Sequence, residues 1–223
     1  MSTTLSTKPS FSEAYDRYAT ATEKMFMSMA EACDLSADLA RAVEAMGGLP
    51  DLVVGLANGA LLPTKIVADE LDRPFEIVRI RRESSRHKQR FLAIKQALRL
   101  PTWLVTLKPL MHVWRVYQER YSKLEAAPDV FSFDVRGKDV VVVDDAVHTG
   151  ASARHVVDEL RGRGAASVRV AVLCWYEGIG DSGDWRPDIY LHRKDQYYPW
   201  SSNSPHLPEF LAWVRQNGLS YWE

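Results

Sequence analysis

The strongest constraint on this chain is one run of residues, Val140-Val-Val-Val-Asp144-Asp145-Ala-Val-His148-Thr149-Gly150-Ala151-Ser152. Four consecutive valines suit a strand buried on both faces, as in the middle of a parallel sheet. Two carboxylates stand where that strand ends, and open α/β sheets place ligands outside the carboxyl ends of their strands. Thr149, Gly150 and Ser152 then form a turn that opens a helix. Backbone N–H groups at a helix N-terminus make an anion cradle, and a glycine there permits close approach. Acids for hydroxyls beside a cradle for phosphate suit a phosphorylated sugar.

The rest of the chain has the periodicity to surround such a strand. The apolar run 51–57 follows Pro50 and predicts a buried strand. Asn58-Gly59-Ala60 predicts a turn, and Leu61 to Leu71 a helix with Pro63 in its first turn. Further strands are predicted over 75–80, 140–143, 168–175 and 188–191, and helices over 151–163 and 207–217. This alternation predicts an α/β fold: a doubly wound parallel sheet with a small C-terminal hood.

Ahead of the first strand, Phe11, Tyr15, Tyr18, Thr22, Met25 and Met29 recur at steps of three or four, which predicts a helix. Asp34 and Ser36 are candidate caps for a second helix ending near Gly47-Gly48. The chain divides on this reading into an N-terminal helical segment, 1–49, its first nine residues a tail, and a main domain, 50–223. Residues 82–135 interrupt the main domain. A structureless loop of that length is rare, so a helical insertion is expected. Leu110, Val113, Trp114, Tyr117, Tyr121 and Leu124 form one apolar helical face, and Phe91, Ile94 and Leu98 a weaker one. Both are read as packing faces.

Composition narrows the function classes. The 28 Lys and Arg residues against 29 Asp and Glu leave a formal net charge of −1, which removes bulk charge as an argument for nucleic-acid or acidic-membrane binding. No run approaches the ~18 apolar residues of a membrane span. No apolar segment follows the Ser/Thr-rich start, as a secretory signal requires. Cys33 and Cys174 lie far apart without metal-type spacing. A cytoplasmic protein with no membrane partner is expected.

The pattern of four apolar residues, two acids, two apolar residues, one variable residue and Thr-Gly-x-Ser resembles the phosphoribosyl-pyrophosphate (PRPP) signature of the type I phosphoribosyltransferases. The resemblance extends to Asp51–Leu71, Val168–Leu191 and, more loosely, Tyr197–Trp200, and is nearest to the purine (xanthine–guanine and hypoxanthine) enzymes. It implies a Rossmann-like phosphoribosyltransferase fold and a pentosyltransferase activity that uses PRPP. It also implies that Asp144 and Asp145 bind the ribose hydroxyls and stabilise charge at C1′. His148, Thr149, Gly150, Ala151 and Ser152 would hold the 5′-phosphate. Ala57, Asn58, Gly59 and Ala60 would form the pyrophosphate loop, Gly59 suiting a strained backbone. Of the basic residues Arg79, Arg81, Arg82, Arg86, Lys88 and Arg90, Arg79 is the one expected to reach pyrophosphate. Mg²⁺ is the implied cofactor, bridging pyrophosphate and ribose hydroxyls and held by Asp144 and Asp145 directly or through water. A homodimer is implied as well.

At the acceptor end, Tyr198 and Trp200 resemble an aromatic segment that flanks the base; a core aromatic cluster is the equal alternative. Two positions depart from the 6-oxopurine pattern. His148 stands where an Asp faces the purine N7, and Tyr176 where a Lys reads O6. Imidazole can exchange that proton and a phenol can donate a hydrogen bond, but both changes point away from a standard 6-oxopurine. The expected function is phosphoribosyl transfer from PRPP to a nucleobase-like acceptor in purine salvage or related nucleotide metabolism, releasing pyrophosphate. Two alternatives remain: an enzyme of a specialised pathway acting on an unusual heterocycle, and a nucleotide-binding regulator of the same fold. The arginine run gives the regulator an RNA partner, which the net charge disfavours.

Overall fold

The valine run is the central strand of the protein. In the computed structural model, residues 26–56, 58–82, 124–126, 131–147, 150–176, 185–193 and 196–222 are described. The elements along them are α1 (Met29–Gly47), β1 (Leu52–Leu56), α2 (Leu61–Glu70), β2 (Phe75–Val78), β3 (Ile80–Arg82) and β4 (Leu124–Ala126). After these come β5 (Asp139–Val147), α3 (Ala151–Gly162), β6 (Ser167–Trp175), β7 (Ile189–His192) and α4 (Leu207–Gln216). Five strands form one sheet in the order β2-β1-β5-β6-β7, every neighbouring pair parallel. The doubly wound α/β sheet expected from the sequence is therefore present.

Strand side chains alternate between faces, and β5 divides its valines accordingly. Val141 and Val143 enter one core with Leu39 and Val43 of α1, Leu61 and Val67 of α2, and Phe210 and Val214 of α4. Val140 and Val142 enter a second core with Val156 and Leu160 of α3. All four valines are fully buried, as a strand covered on both faces requires. No helix among the described residues is long and apolar enough to cross a membrane.

Two expectations change. Asp34 and Ser36 cap nothing: one continuous helix, α1, runs through them. It starts from Ser28, whose hydroxyl accepts from the Glu31 N–H at 3.3 Å while the Glu31 carboxylate accepts from the Ser28 N–H at 2.7 Å. Ser36 is buried in the helix, where its hydroxyl donates to the Ala32 carbonyl at 2.7 Å. α1 shares a core with α2 and α4.

The second change concerns the insertion. Leu124, assigned above to a helical face, lies in β4, paired antiparallel with Arg82 of β3. Glu125 and Ala126 pair with Arg81 and Ile80. The long excursion is thus closed at its base by a two-stranded ribbon. The other residues of both expected helical faces, and the expected helix before Met25, lie outside the described residues.

Candidate active site

From β1 the chain passes through α2 to β2 on one side, and from β5 through α3 to β6 on the other. The sheet order therefore reverses between β1 and β5, and the crevice outside their carboxyl ends is the topological switch point. Asn58, Gly59 and Ala60 follow β1; Asp144 and Asp145 lie in the last half of β5, just past its pairing with β1, and Gly150 follows the strand. Ala57, His148 and Thr149 lie outside the described residues.

Asp145 continues the odd-numbered series of β5 and points to the same face as Val141 and Val143. There its Oδ2 accepts from the Trp200 indole Nε1–H at 2.6 Å, and its Oδ1 from the Ala146 N–H at 2.7 Å. Asp144 Oδ1 accepts from the Asp145 N–H at 2.9 Å. Gly59 packs directly on the Asp145 carboxylate: a Cβ there would fall 2.6 Å from Cγ and 2.8 Å from Oδ1. This corrects the reason given for Gly59. Its φ lies outside the positive region, so close approach of the acid, not backbone strain, demands glycine.

Gly150 does take the left-handed conformation, with φ +71° and ψ −1°, at the N-cap of α3. No side chain caps this helix start. Ala151 is exposed and Ser152 half-buried, so the first turn of α3 stands at the protein surface. The Trp185 ring lies against Gly150, where a Cβ would come 3.1 Å from its Cδ2 and closer to its outer atoms. The Arg154 guanidinium is 6.0 Å from the centroid of that ring.

On the other side of the crevice, the Asn58 side chain makes a two-way bond with the backbone of Trp222. Its Nδ2 donates to the Trp222 carbonyl, and its Oδ1 accepts from the Trp222 N–H at 3.0 Å. The Trp222 ring in turn carries the Arg79 guanidinium, 3.6 Å from the ring centroid. Contacts therefore run in a line from Asp145 through Gly59 and Asn58 to Trp222 and Arg79. Ala60 is fully buried.

Tyr198 and Trp200 are buried, 3% and 7% exposed, and stack on each other at 4.8 Å with their planes 7° apart. Phe210 meets Trp200 at 5.6 Å. Burial first, and the Asp145 carboxylate next, hold the Tyr198 phenol far above its ordinary range. The structure therefore places these two in the core, with Trp200 holding Asp145, rather than on an open face ready to flank a base. Tyr176 is half-buried just past β6, its N–H donating to the Val147 carbonyl at 2.9 Å, which sets it beside the end of β5. Sequence reasoning missed Trp185 and Trp222. Neither has a local pattern that points to the site, because each arrives by tertiary packing.

A parallel sheet whose switch point gathers two carboxylates, a glycine-opened helix start and an arginine has the parts of a phosphosugar- or nucleotide-binding α/β protein. The chain belongs to the phosphoribosyl transferase domain family, which matches residues 28–201. That membership places it among the pentosyltransferases and includes α1 in the family's domain. No curated protein matches the chain in sequence. Among solved structures, the purine phosphoribosyltransferase from Pyrococcus horikoshii Ot3 shares 19% identity at a TM-score of 0.54, covering 80% of this chain and 94% of that one. The Helicobacter pylori xanthine-guanine-hypoxanthine phosphoribosyltransferase shares 14% at 0.50, covering 84% and 97%. A hypothetical protein from Neisseria gonorrhoeae with bound ppGpp shares 16% at 0.52, covering 86% and 96%. At these identities the likeness is one of fold.

Proposed function

We propose that the protein transfers the 5-phosphoribosyl group of PRPP to a ring nitrogen of a nucleobase-like acceptor. The C1′–O bond to pyrophosphate breaks, a C1′–N bond forms, and the acceptor nitrogen loses a proton. The observation that carries this reading is the fixed Asp145 carboxylate, held by Trp200 and by Gly59 at the switch point next to the glycine-capped start of α3. In that position Asp144 and Asp145 would take the ribose hydroxyls and stabilise the cationic character that develops at C1′. The α3 N-terminus, with Gly150, Ala151 and Ser152, would hold the 5′-phosphate. Asn58 to Ala60 and Arg79 would face the pyrophosphate. His148 would exchange the acceptor's proton, and Tyr176 would meet the acceptor ring.

Two adjacent carboxylates give an all-oxygen donor set, which suits Mg²⁺, a hard ion that keeps most of its waters. Among the described residues no cluster of three or more acidic, His or Cys side chains could hold a metal ion. When bound, Mg²⁺ would neutralise charge on the leaving pyrophosphate. A purine is the acceptor class we favour, because the structural neighbours include a purine and a xanthine-guanine-hypoxanthine phosphoribosyltransferase. A cytoplasmic homodimer completes the reading.

The test is Asp145→Asn. The amide has one acceptor oxygen where the carboxylate has two, so one of the bonds from Trp200 and the Ala146 N–H is lost. The thermal transition is expected to stay cooperative but to fall by roughly 3–12 °C, while PRPP-dependent turnover with purines and Mg²⁺, measured well below that transition, falls about a hundredfold or more. Wild-type kinetics in the Asp144→Asn, Asp145→Asn double variant would refute the assignment. The ppGpp bound to the Neisseria gonorrhoeae neighbour favours a second reading, a nucleotide-binding regulator. Tight nucleotide binding with no turnover on any base, together with a salt-dependent RNA gel shift, would select it.

A further inference from the structure

We infer that Trp222 is a positioning residue: its indole holds Arg79 flat so that the edge of the guanidinium faces a pyrophosphate-bearing ligand over the Asn58-Gly59 loop. The inference rests on the transfer reading proposed above. Arg79 follows β2 and is exposed. Its guanidinium lies 3.6 Å from the centroid of the Trp222 ring. A guanidinium presents its five N–H donors in its own plane, so a ring on its face leaves those donors available to an anion. No carboxylate among the described residues forms an ion pair with Arg79.

The ring can orient Arg79 only if the ring itself is fixed, and two features fix it. Asn58 grips the Trp222 backbone from both sides, donating to its carbonyl and accepting from its N–H. Leu219, Tyr221 and Trp222 also pack on the first core, Tyr221 meeting Phe210 edge-on at 6.0 Å. Asn58 thus uses its side chain to staple residues 219–222 to the loop, and leaves the loop backbone to face the ligand. The staple grips backbone atoms only, so removing the indole leaves it in place. Trp222→Ala therefore tests the ring alone.

The experiment is calorimetric titration of the full-length protein with PRPP and with inorganic pyrophosphate, both with Mg²⁺. The variants are Trp222→Ala, Trp222→Phe, Arg79→Ala and the Arg79→Ala, Trp222→Ala pair, each checked for an intact thermal transition. We expect Trp222→Ala to weaken PRPP binding about two- to fivefold, the size of an exposed cation–π contact. Phe should restore most of it. Removing the indole should cost nothing further once Arg79 is Ala. In turnover, KM for PRPP should rise by the same factor with kcat little changed. Unchanged affinity in Trp222→Ala overturns the inference. So does tighter binding, which would make residues 219–222 a competitor for the site, and so does an equal loss in the Arg79→Ala background. If wild type binds neither ligand, the transfer reading fails and takes this one with it.

Discussion

Adding one methyl group at Gly59 is the sharpest perturbation of the site. The backbone there is not in the left-handed region, so Gly59→Ala introduces no φ strain. Its whole effect comes from the new Cβ, 2.6 Å from Asp145 Cγ where an ordinary contact needs at least 3.4 Å. The carboxylate must therefore retreat by ~0.8 Å, from 2.6 Å to about 3.4 Å. Asp145 is a short side chain held by Trp200 and by the Ala146 N–H at 2.6 and 2.7 Å, so it cannot retreat and keep both bonds. Losing one hydrogen bond to a charged group costs about 1.5–3 kcal/mol. For a domain of this size that lowers Tm by roughly 3–12 °C. If Asp145 holds the ribose, a shift approaching 1 Å should also reduce turnover about a hundredfold. Scanning calorimetry and PRPP-dependent turnover read the two effects separately. Trp200→Phe, which frees Asp145 to swing away, should shrink the stability penalty of the added methyl. A Gly59→Ala protein with wild-type Tm and kinetics, or a penalty that is the same in the Trp200→Phe background, would refute this account of the loop.

His148→Ala should lower kcat by about a hundredfold and remove a limb of the pH–rate profile near the imidazole pKa of ~6.5, with PRPP affinity unchanged; an unaltered profile would leave His148 no acid–base role. The Tyr198 hydroxyl is buried with no hydrogen-bond partner among the described residues, so Tyr198→Phe should hold or raise Tm, by up to ~1–3 kcal/mol of stability, and leave KM for the acceptor unchanged. A large rise in that KM would return Tyr198 to the acceptor site. Burial, then Asp34 and Glu209, raise the Cys33 thiol, so at any given pH less of it is thiolate. Its alkylation by iodoacetamide should reach half-rate above pH ~8.5, and a midpoint at or below that value would contradict the packing around it.

The large elements were legible because their signals are local. The valine run, the apolar strands flanking it and the amphipathic helices carry their own periodicity, and their predicted spans differ from the observed ones mainly at the ends. The start of α1 was misplaced: the apolar steps suggest one helix through Met25 and Met29 with a second capped at Asp34 or Ser36, whereas the capping box is Ser28 with Glu31. The β3–β4 ribbon was not legible: two strands of three residues have no alternation to read, and their pairing joins distant parts of the chain. The site divides in the same way. Asp144, Asp145 and Gly150 were visible because one strand and its turn present them together. The groups that hold them were not, because Trp200 reaches Asp145 from 55 positions away and Trp222 reaches Asn58 from 164. Tyr198 and Trp200 sat in a recognisable segment, yet only packing decides whether an aromatic faces a ligand or a core.

The β3–β4 ribbon also bears on how this fold tolerates change. Because Ile80–Arg82 and Leu124–Ala126 are zipped together, residues 82 and 124 stand side by side whatever the length of chain between them. The cost of closing such an excursion grows only with the logarithm of its length, about 0.6 kcal/mol for each doubling. Chain can thus be added or removed beyond the zipper with little effect on the parallel sheet. Changes of length between residues 82 and 124 should therefore cost the sheet least, while Gly59, Asp145 and Trp200, in direct contact at the site, allow almost no latitude.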